Sequence, residues 1–401
     1  MSDAPLDLTS ADLYTPGFPH SIFRKLREHQ PVSWHVDPRG QGSWTITRYH
    51  DIQTVLRNPT LYSSWRGGVL LEDPPPPFLD ELRKTLLNQD PPAHTSMRRL
   101  VNHAFSPQHI AALDRRIAEH ARDLVTRVRA RGHCDFATEL GGEMPLFVIC
   151  EILGVPLEDR ELLYARTARM LSSDLPDPRA AFEDGVAASG ELRAYAADLA
   201  RHKTTSPAND LVSDLLSCEI EGRRLTPSEF QWFFLLLFNA GSDATRGLLC
   251  HGLDVLFAHP DTLARLRDDP SLLPGAIEEL MRFVSPVIQF RRTATQDTVL
   301  GGQTIREGDK VVIFFPSANR DAAVFDDPDH LNIHRTPNHH FAFGHGAHFC
   351  LGAPLARLEC KHLFREVLTT LRDLAPSAPL TPSRTNLVRS VRHQPIHFTP
   401  C

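Results

Sequence analysis

Lysine is scarce in this 401-residue chain: five of its 43 basic residues are Lys and the rest Arg, a pattern that coding bias explains at least as well as function. The formal net charge of -6 leaves no basic surplus for holding a phosphate backbone, so nucleic-acid binding is not expected. Cysteine is sparse as well. Its seven positions (134, 150, 218, 250, 350, 360 and 401) are odd in number and contain no C-x-x-C pair. That argues against a disulfide framework or a structural zinc site, and for a reducing compartment. No apolar run approaches the roughly 18 residues of a membrane span. Met1-Ser2-Asp3-Ala4-Pro5 offers no basic stretch followed by an apolar one, so no signal peptide is read there. Internal repeats are missing, and low complexity is confined to Pro74–Pro77. These absences predict a soluble, cytoplasmic chain with no membrane contact.

What is present is enough apolar residue, 41% of the chain, to bury a large core without staples. The fold class read from the pattern is mainly α with a small β region, as one domain over residues 1–401. The β-rich parts fall near 30–65, 286–315 and 380–400, and the helical parts at about 93–285 and 353–371. Ser43-Trp44-Thr45-Ile46-Thr47 alternates like a strand; Val287–Phe290, Val299–Leu300 and Lys310–Phe314 read as further short strands. Residues 66–92, rich in Gly and Pro, read as a long ordered loop or lid. One helix stands out. Thr226-Pro227-Ser228-Glu229 combines an N-cap Thr, a first-turn Pro and a Glu three residues after the cap. The apolar stretch that follows runs from Phe230 to Phe257, and about 32 helical residues would span roughly 48 Å. Small and polar residues interrupt its middle at Asn239-Ala240-Gly241-Ser242-Asp243-Ala244-Thr245. Gly inside a helix costs about 1 kcal/mol relative to Ala, and a buried Asp costs more unless paired. Either a packing notch or a function should compensate.

The segment Phe341-Ala342-Phe343-Gly344-His345-Gly346-Ala347-His348-Phe349-Cys350-Leu351-Gly352-Ala353 carries the chemistry. A lone Cys between Phe and Leu is by default a buried core thiol. Here Gly344, Gly346 and Gly352 permit a tight turn and close backbone approach around the sulfur. Backbone N–H groups and the start of the next helix can stabilise a thiolate there.

Phe343-x-x-Gly346-x-x-x-Cys350-x-Gly352 resembles the haem-binding loop of the cytochrome P450 family at every fixed position. Glu279-Leu280-Met281-Arg282 resembles the family's Glu-x-x-Arg helix. Asn319-Arg320-Asp321, Phe325-Asp326-Asp327-Pro328-Asp329 and Arg335 resemble the meander that follows it. Ala240-Gly241-Ser242-Asp243 is similar to the oxygen-activating stretch of the long helix. The matches keep the family's order over nearly the whole chain, although Glu-x-x-Arg alone is usually an ordinary helix-surface pair.

The resemblance implies the cytochrome P450 fold and a soluble bacterial type of monooxygenase, with haem b (heme b, iron protoporphyrin IX) as cofactor and Cys350 as metal ligand. It implies that His94, Arg98, Arg292 and His348 hold the haem propionates beside Phe343 and Gly352. It implies a structural ion network of Glu279, Arg282 and Arg335, and a substrate pocket near Leu236, Ala240, Ile288, Phe290 and Val388. Electrons would come from a separate ferredoxin and ferredoxin reductase, docking at a basic patch of Arg98, Arg99, Arg357, Lys361 and Arg365. A monomer acting on a small, largely apolar molecule is expected.

The chain departs from the family at one catalytic position. Most members carry an acid followed by Thr in the long helix; here Asp243 is followed by Ala244, with Thr245 one residue late. A one-residue shift turns a helical side chain by about 100°, so Thr245 is read as packing or bonding back to a carbonyl. Three readings stay open. A substrate hydroxyl or ordered water supplies the relay, and monooxygenation is normal; the reaction is oxidative coupling, cyclisation or desaturation; or peroxide replaces dioxygen. A non-enzymatic haem-thiolate carrier is the alternative outside catalysis, and Asp243 counts against it.

Overall fold

The computed structural model describes residues 6–37, 40–102, 105, 107–171, 175, 177–219 and 222–400. Helices dominate from Ala93 to Val284 and return at Ala353–Thr370, while the strands gather into one five-stranded sheet and three smaller ones. The larger sheet runs Val32–His35, Ser43–Ile46, Lys310–Phe314, Gln289–Ala294, Tyr62–Ser63. Ser43–Ile46 lies parallel to Lys310–Phe314, with Trp44 opposite Val311; the other pairings are antiparallel. The central Lys310–Phe314 strand is buried at all five positions, as covering on both faces requires.

The long helix spans Pro227–Phe257, and its start signal is realised in full. The Glu229 N–H donates to Thr226 Oγ1 at 3.2 Å, and the Thr226 N–H donates back to Glu229 Oε2 at 2.9 Å. It packs against the helices Glu143–Leu153, Pro178–Thr205 and Leu273–Val284. Two of its glycines admit neighbours. A Cβ on Gly241 would meet the Ile149 side chain at 3.0 Å, which makes this glycine a packing notch. A Cβ on Gly247 would lie 2.3 Å from the Arg389 carbonyl oxygen, so the C-terminal loop can press against the helix only there.

Three expectations needed correction. Residues 66–92 are not loop throughout: they hold a helix at Pro76–Leu82 and a 3₁₀ turn at Leu86–Asn88. The proline run starts that helix rather than breaking one, and no residue of the helix is buried, so there was no apolar period to find. His133–Asp135, inside the region read as helical, is a strand paired with Pro395–Thr399, a partner about 260 residues away. The strand read from Val287 begins at Gln289. Ser285 takes a left-handed backbone (φ 47°) before Pro286, and Val287 makes only an isolated bridge to Val388.

Candidate active site

The Cys350 loop is closed by its own backbone. The Cys350 N–H donates to the Phe343 carbonyl at 2.9 Å, Gly344 and Gly346 take φ of 72° and 70°, and a Cβ on Gly346 would meet Leu56 O at 2.5 Å. Phe341 anchors the near end: its ring stacks on Tyr49 at 4.1 Å, and its N–H donates to Asn319 Oδ1 at 2.7 Å. Gly352 has an ordinary backbone and open space around it, so its contribution is the N–H it turns toward the sulfur rather than conformational freedom.

Among the described cysteines Cys350 alone is exposed; Cys134, Cys150, Cys250 and Cys360 are buried and Cys218 is intermediate. Protein nevertheless crowds its sulfur, as on the floor of a cleft. Burial pushes the thiol up, while the Gly352 N–H, Arg98, the Ala353 N–H and Arg357 all pull toward the thiolate. Cys360 has the opposite setting: burial, Glu359 and Glu278 drive it well above the ordinary thiol range. Both thiols are raised on balance, but only at Cys350 do backbone N–H groups and two arginines oppose the burial, so the thiolate is less disfavoured there than at Cys360.

Around this loop the structure brings together all four residues expected to hold carboxylates. The His94 and His348 rings lie 4.2 Å apart. Arg98 donates to the Ala347 and Phe349 carbonyls at 3.1 and 2.6 Å, tying the helix Ala93–Asn102 to the loop. Arg292 is buried, and its Nη1 donates to the neighbouring Arg291 carbonyl at 2.8 Å. Burial, then Arg98, lowers His94 to about 4. Burial, then Arg292 and His94, lowers His348 to about 2. Burial lowers Arg292 to about 10. His94 Nε2 is buried without a hydrogen-bond partner. Among the described residues His94, Arg292 and His348 form no ion pair; the nearby Asp90 is engaged by Ser63 and by the Ser64 N–H. Two arginines whose described bonds go only to carbonyls, with a buried unpartnered His94 Nε2 and His348 beside them, suit a ligand with two carboxylates, as haem b has.

The ion network is fully assembled. Arg282 clasps Glu279 through two bonds of 2.9 and 2.7 Å, and Arg335 reaches the same carboxylate at 3.2 Å. Asn332 N–H and Asn338 Nδ2 donate to it as well. Glu279 and Arg282 are completely buried. Burial would raise the Glu279 carboxyl; Arg282 outweighs it, with help from Asn332 and Arg335, and holds the group below its ordinary range. Arg282 Nη1 also donates to the Asn319 and Pro328 carbonyls, and Asn319 in turn holds Phe341, so the network reaches the Cys350 loop.

On the long helix, Leu236, Asn239, Ala240, Asp243 and Ala244 form a half-buried to exposed stripe on a helix otherwise buried in its middle. The i, i+3, i+4, i+7, i+8 spacing puts them on one face. Among the described residues Asp243 has no ion-pair partner. Ser390 Oγ donates to its Oδ1 at 2.5 Å, and burial raises the carboxyl above its ordinary range against that bond. Thr245 is buried; the hydroxyl that bonds back along the helix is that of Ser242, to the Phe238 carbonyl at 2.9 Å. Ser390 was not foreseen, since nothing in the sequence marks a serine 147 residues from Asp243 as its partner.

The expected pocket residues divide. Phe290 and Val388 are half-buried, as is Val287, which was not among them and faces Val388 across an isolated bridge. Ile288 is instead fully buried against Leu8, Tyr14, Phe18 and Phe314 on the outer side of the sheet. Ile288 precedes the strand, which begins at Gln289, so strand alternation does not tie its face to that of Phe290. The basic patch also shrinks: Arg357 is clasped by Glu278 at 2.6 and 2.9 Å and lies over the Phe343 ring, and Arg98 is spent on the loop carbonyls.

An exposed cysteine whose loop turns backbone N–H groups and two arginines toward its sulfur, beside Arg98, Arg292, His94 and His348, fits a haem-thiolate oxidoreductase. The cytochrome P450 family model matches residues 8–395, and the chain belongs to that family. It is 38% identical to a putative cytochrome P450 126 of Mycobacterium tuberculosis over 97% of this chain and 96% of that one. It is 33% identical to a steroid C26-monooxygenase of the same species over 98% and 92%. A solved Mycobacterium marinum cytochrome P450 in complex with pseudoionone superposes with a TM-score of 0.89 at 35% identity, covering 99% of this chain and all of that one. The protein is therefore a P450 monooxygenase whose cofactor is haem b. No helix among the described residues is long and apolar enough to cross a membrane.

Proposed function

We propose that this enzyme inserts oxygen into a small, largely apolar molecule, with Cys350 holding the haem iron and Asp243 supplying protons at the pocket. When bound, haem with a thiolate ligand supplies the redox chemistry that favours O–O cleavage. His94, Arg98, Arg292 and His348 hold the propionates and so fix the cofactor's orientation over Cys350. The stripe Leu236, Ala240 and Ala244, together with Val287, Phe290 and Val388, offers mainly hydrocarbon contact. The relatives' steroid and pseudoionone are molecules of that character. Electrons come from a separate ferredoxin and its reductase, the supply that the likeness to soluble bacterial P450s implies.

The observation that carries the proton role is Asp243: a carboxyl that burial raises above its ordinary range, hydrogen-bonded to Ser390 on the accessible stripe, beside an Ala244 that has no hydroxyl to pass the proton on. A substrate hydroxyl or an ordered water takes that place. Asp243→Asn should retain haem and the substrate-induced spectral shift but slow product formation by roughly 10²–10⁴-fold, the contribution of a positioned general acid. Ala244→Thr should improve coupling of reductant to product for substrates without a hydroxyl and impair it for the native one. Normal turnover in Asp243→Asn with an unchanged Ala244→Thr would return both residues to helix packing. A product lacking added oxygen would point to coupling or desaturation instead.

A further inference from the structure

We propose that Asp243 is recharged with protons from a surface cleft further along the same face of the long helix, and that the Ser390 hydroxyl is the gate through which they pass. The inference rests on the proton role of Asp243 and adds the route by which that role is sustained.

Asp243, Gly247, His251 and Asp254 stand at i, i+4, i+8 and i+11, so they form one line along the helix, about 16 Å long. The C-terminal loop lies along this line. Gly247 admits its Arg389 carbonyl, and that close approach brings the next residue, Ser390, within 2.5 Å of Asp243. The loop is held in this position from both ends. Arg389 Nη1 donates to the Val284 carbonyl at 2.6 Å, and the Ser383 N–H donates to the Ser390 carbonyl at 3.0 Å.

Ser390 has a second side. It lines a cleft of about 360 Å³ together with Tyr14, His251, Asp254, Ser383 and Arg389. That is room for several waters; the wall is more apolar than polar, and the side chains that offer them hydrogen bonds are those of Tyr14, His251, Asp254, Ser383, Thr385 and Arg389. His251 Nε2 in this wall is buried without a protein partner. The proton-bearing groups facing the cleft are His251 and Asp254 from the helix and Arg389 from the loop. Asp243 thus touches the accessible stripe on one side and, through a single hydroxyl, the cleft on the other.

The step balances without any further reactant. Asp243 gives its proton to the pocket; Ser390 Oγ passes its hydroxyl proton to the carboxylate left behind and takes another from a cleft water. One proton enters for each that leaves, and nothing is oxidised or reduced. Ser390→Ala removes the relay but not the carboxyl, whereas Ser390→Thr keeps a hydroxyl.

The test follows the Asp243 carboxyl band by infrared difference spectroscopy in the ferric holoenzyme after rapid mixing into D₂O, using Asp243→Asn to assign the band. Ser390→Ala should slow exchange of that carboxyl by about 10²-fold, the low end of what a positioned proton donor contributes. It should also lower the fraction of reductant appearing in product and enlarge the solvent isotope effect, with haem content and the substrate-induced spectral shift unchanged. Ser390→Thr should restore exchange; a serine that only positioned Asp243 would not govern this rate. Exchange and coupling at the parent rate in Ser390→Ala, with Asp243→Asn still slow, would overturn the Ser390 route alone. Normal turnover in Asp243→Asn would remove the proton role beneath it.

Discussion

A guanidinium taken out of water needs a counter-charge, and Arg292 lacks a close one: it is buried and bonded only to a backbone carbonyl, and burial has lowered it to about 10. Two haem carboxylates would fill that need, as proposed above, and the dependence should be mutual. Arg292→Ala should lower haem retention by about 1.5–3 kcal/mol, the worth of a hydrogen bond to a charged group. Arg98→Ala should cost haem as well, and in addition loosen the Cys350 loop, because Arg98 holds the Ala347 and Phe349 carbonyls. Haem occupancy after dilution into apomyoglobin, read beside thermal unfolding, checks both; unchanged retention in both variants would remove them from the site. The cofactor-facing residues were legible because fixed short spacings announce them: His94 and Arg98 are one helical turn apart, and Cys350 sits inside a patterned loop. Ser390 was not, because its role comes from the fold of the C-terminal loop over Gly247, and neither residue carries a motif.

Elements meet in this fold through a few close approaches, and Gly247 is the sharpest on the long helix. Gly247→Ala places a methyl 2.3 Å from the Arg389 carbonyl oxygen, closer than the two atoms can pack. The loop must retreat, at about 1–3 kcal/mol for an overpacked site, and Ser390 should leave Asp243. A lower unfolding midpoint together with a shifted Asp243 carboxyl band would show it; parent-like values for both would mean the loop yields freely. The long helix itself was readable nearly to the residue, since its cap, first-turn proline and apolar run agree. The helix Pro76–Leu82 and the strand His133–Asp135 were not. The former buries nothing, and the latter exists only because Pro395–Thr399 pairs with it. Ile288 was misplaced for a related reason: it precedes the strand, which begins at Gln289, so strand alternation does not set its face.

Across the whole molecule, the thiol loop is braced by two acids from one helix. Glu279 gathers Arg282 and Arg335, and Glu278 gathers Arg357 from the helix after Cys350 and His340 from the chain before it. Breaking the buried pair would cost about 3–5 kcal/mol, because one charge would be left alone. Burial would raise Glu278, but Arg357 and His340 outweigh it and lower the carboxyl to about 2 from 4.5. A lowered acid stabilises the fold fully above its unfolded value, and that stability fades as pH falls from about 4.5 toward 2. Glu278→Gln should therefore be less stable than the parent at neutral pH, and the gap should close across that window in unfolding midpoints; a pH-independent gap would deny the ion pair its role. All of this bracing converges on one sulfur. The decisive measurement is the spectrum of the reduced carbon monoxide complex in the parent, Cys350→Ala and Cys360→Ala. The strongly red-shifted band of thiolate-ligated haem should survive in Cys360→Ala and vanish in Cys350→Ala; its loss from Cys360→Ala with retention in Cys350→Ala would contradict the account.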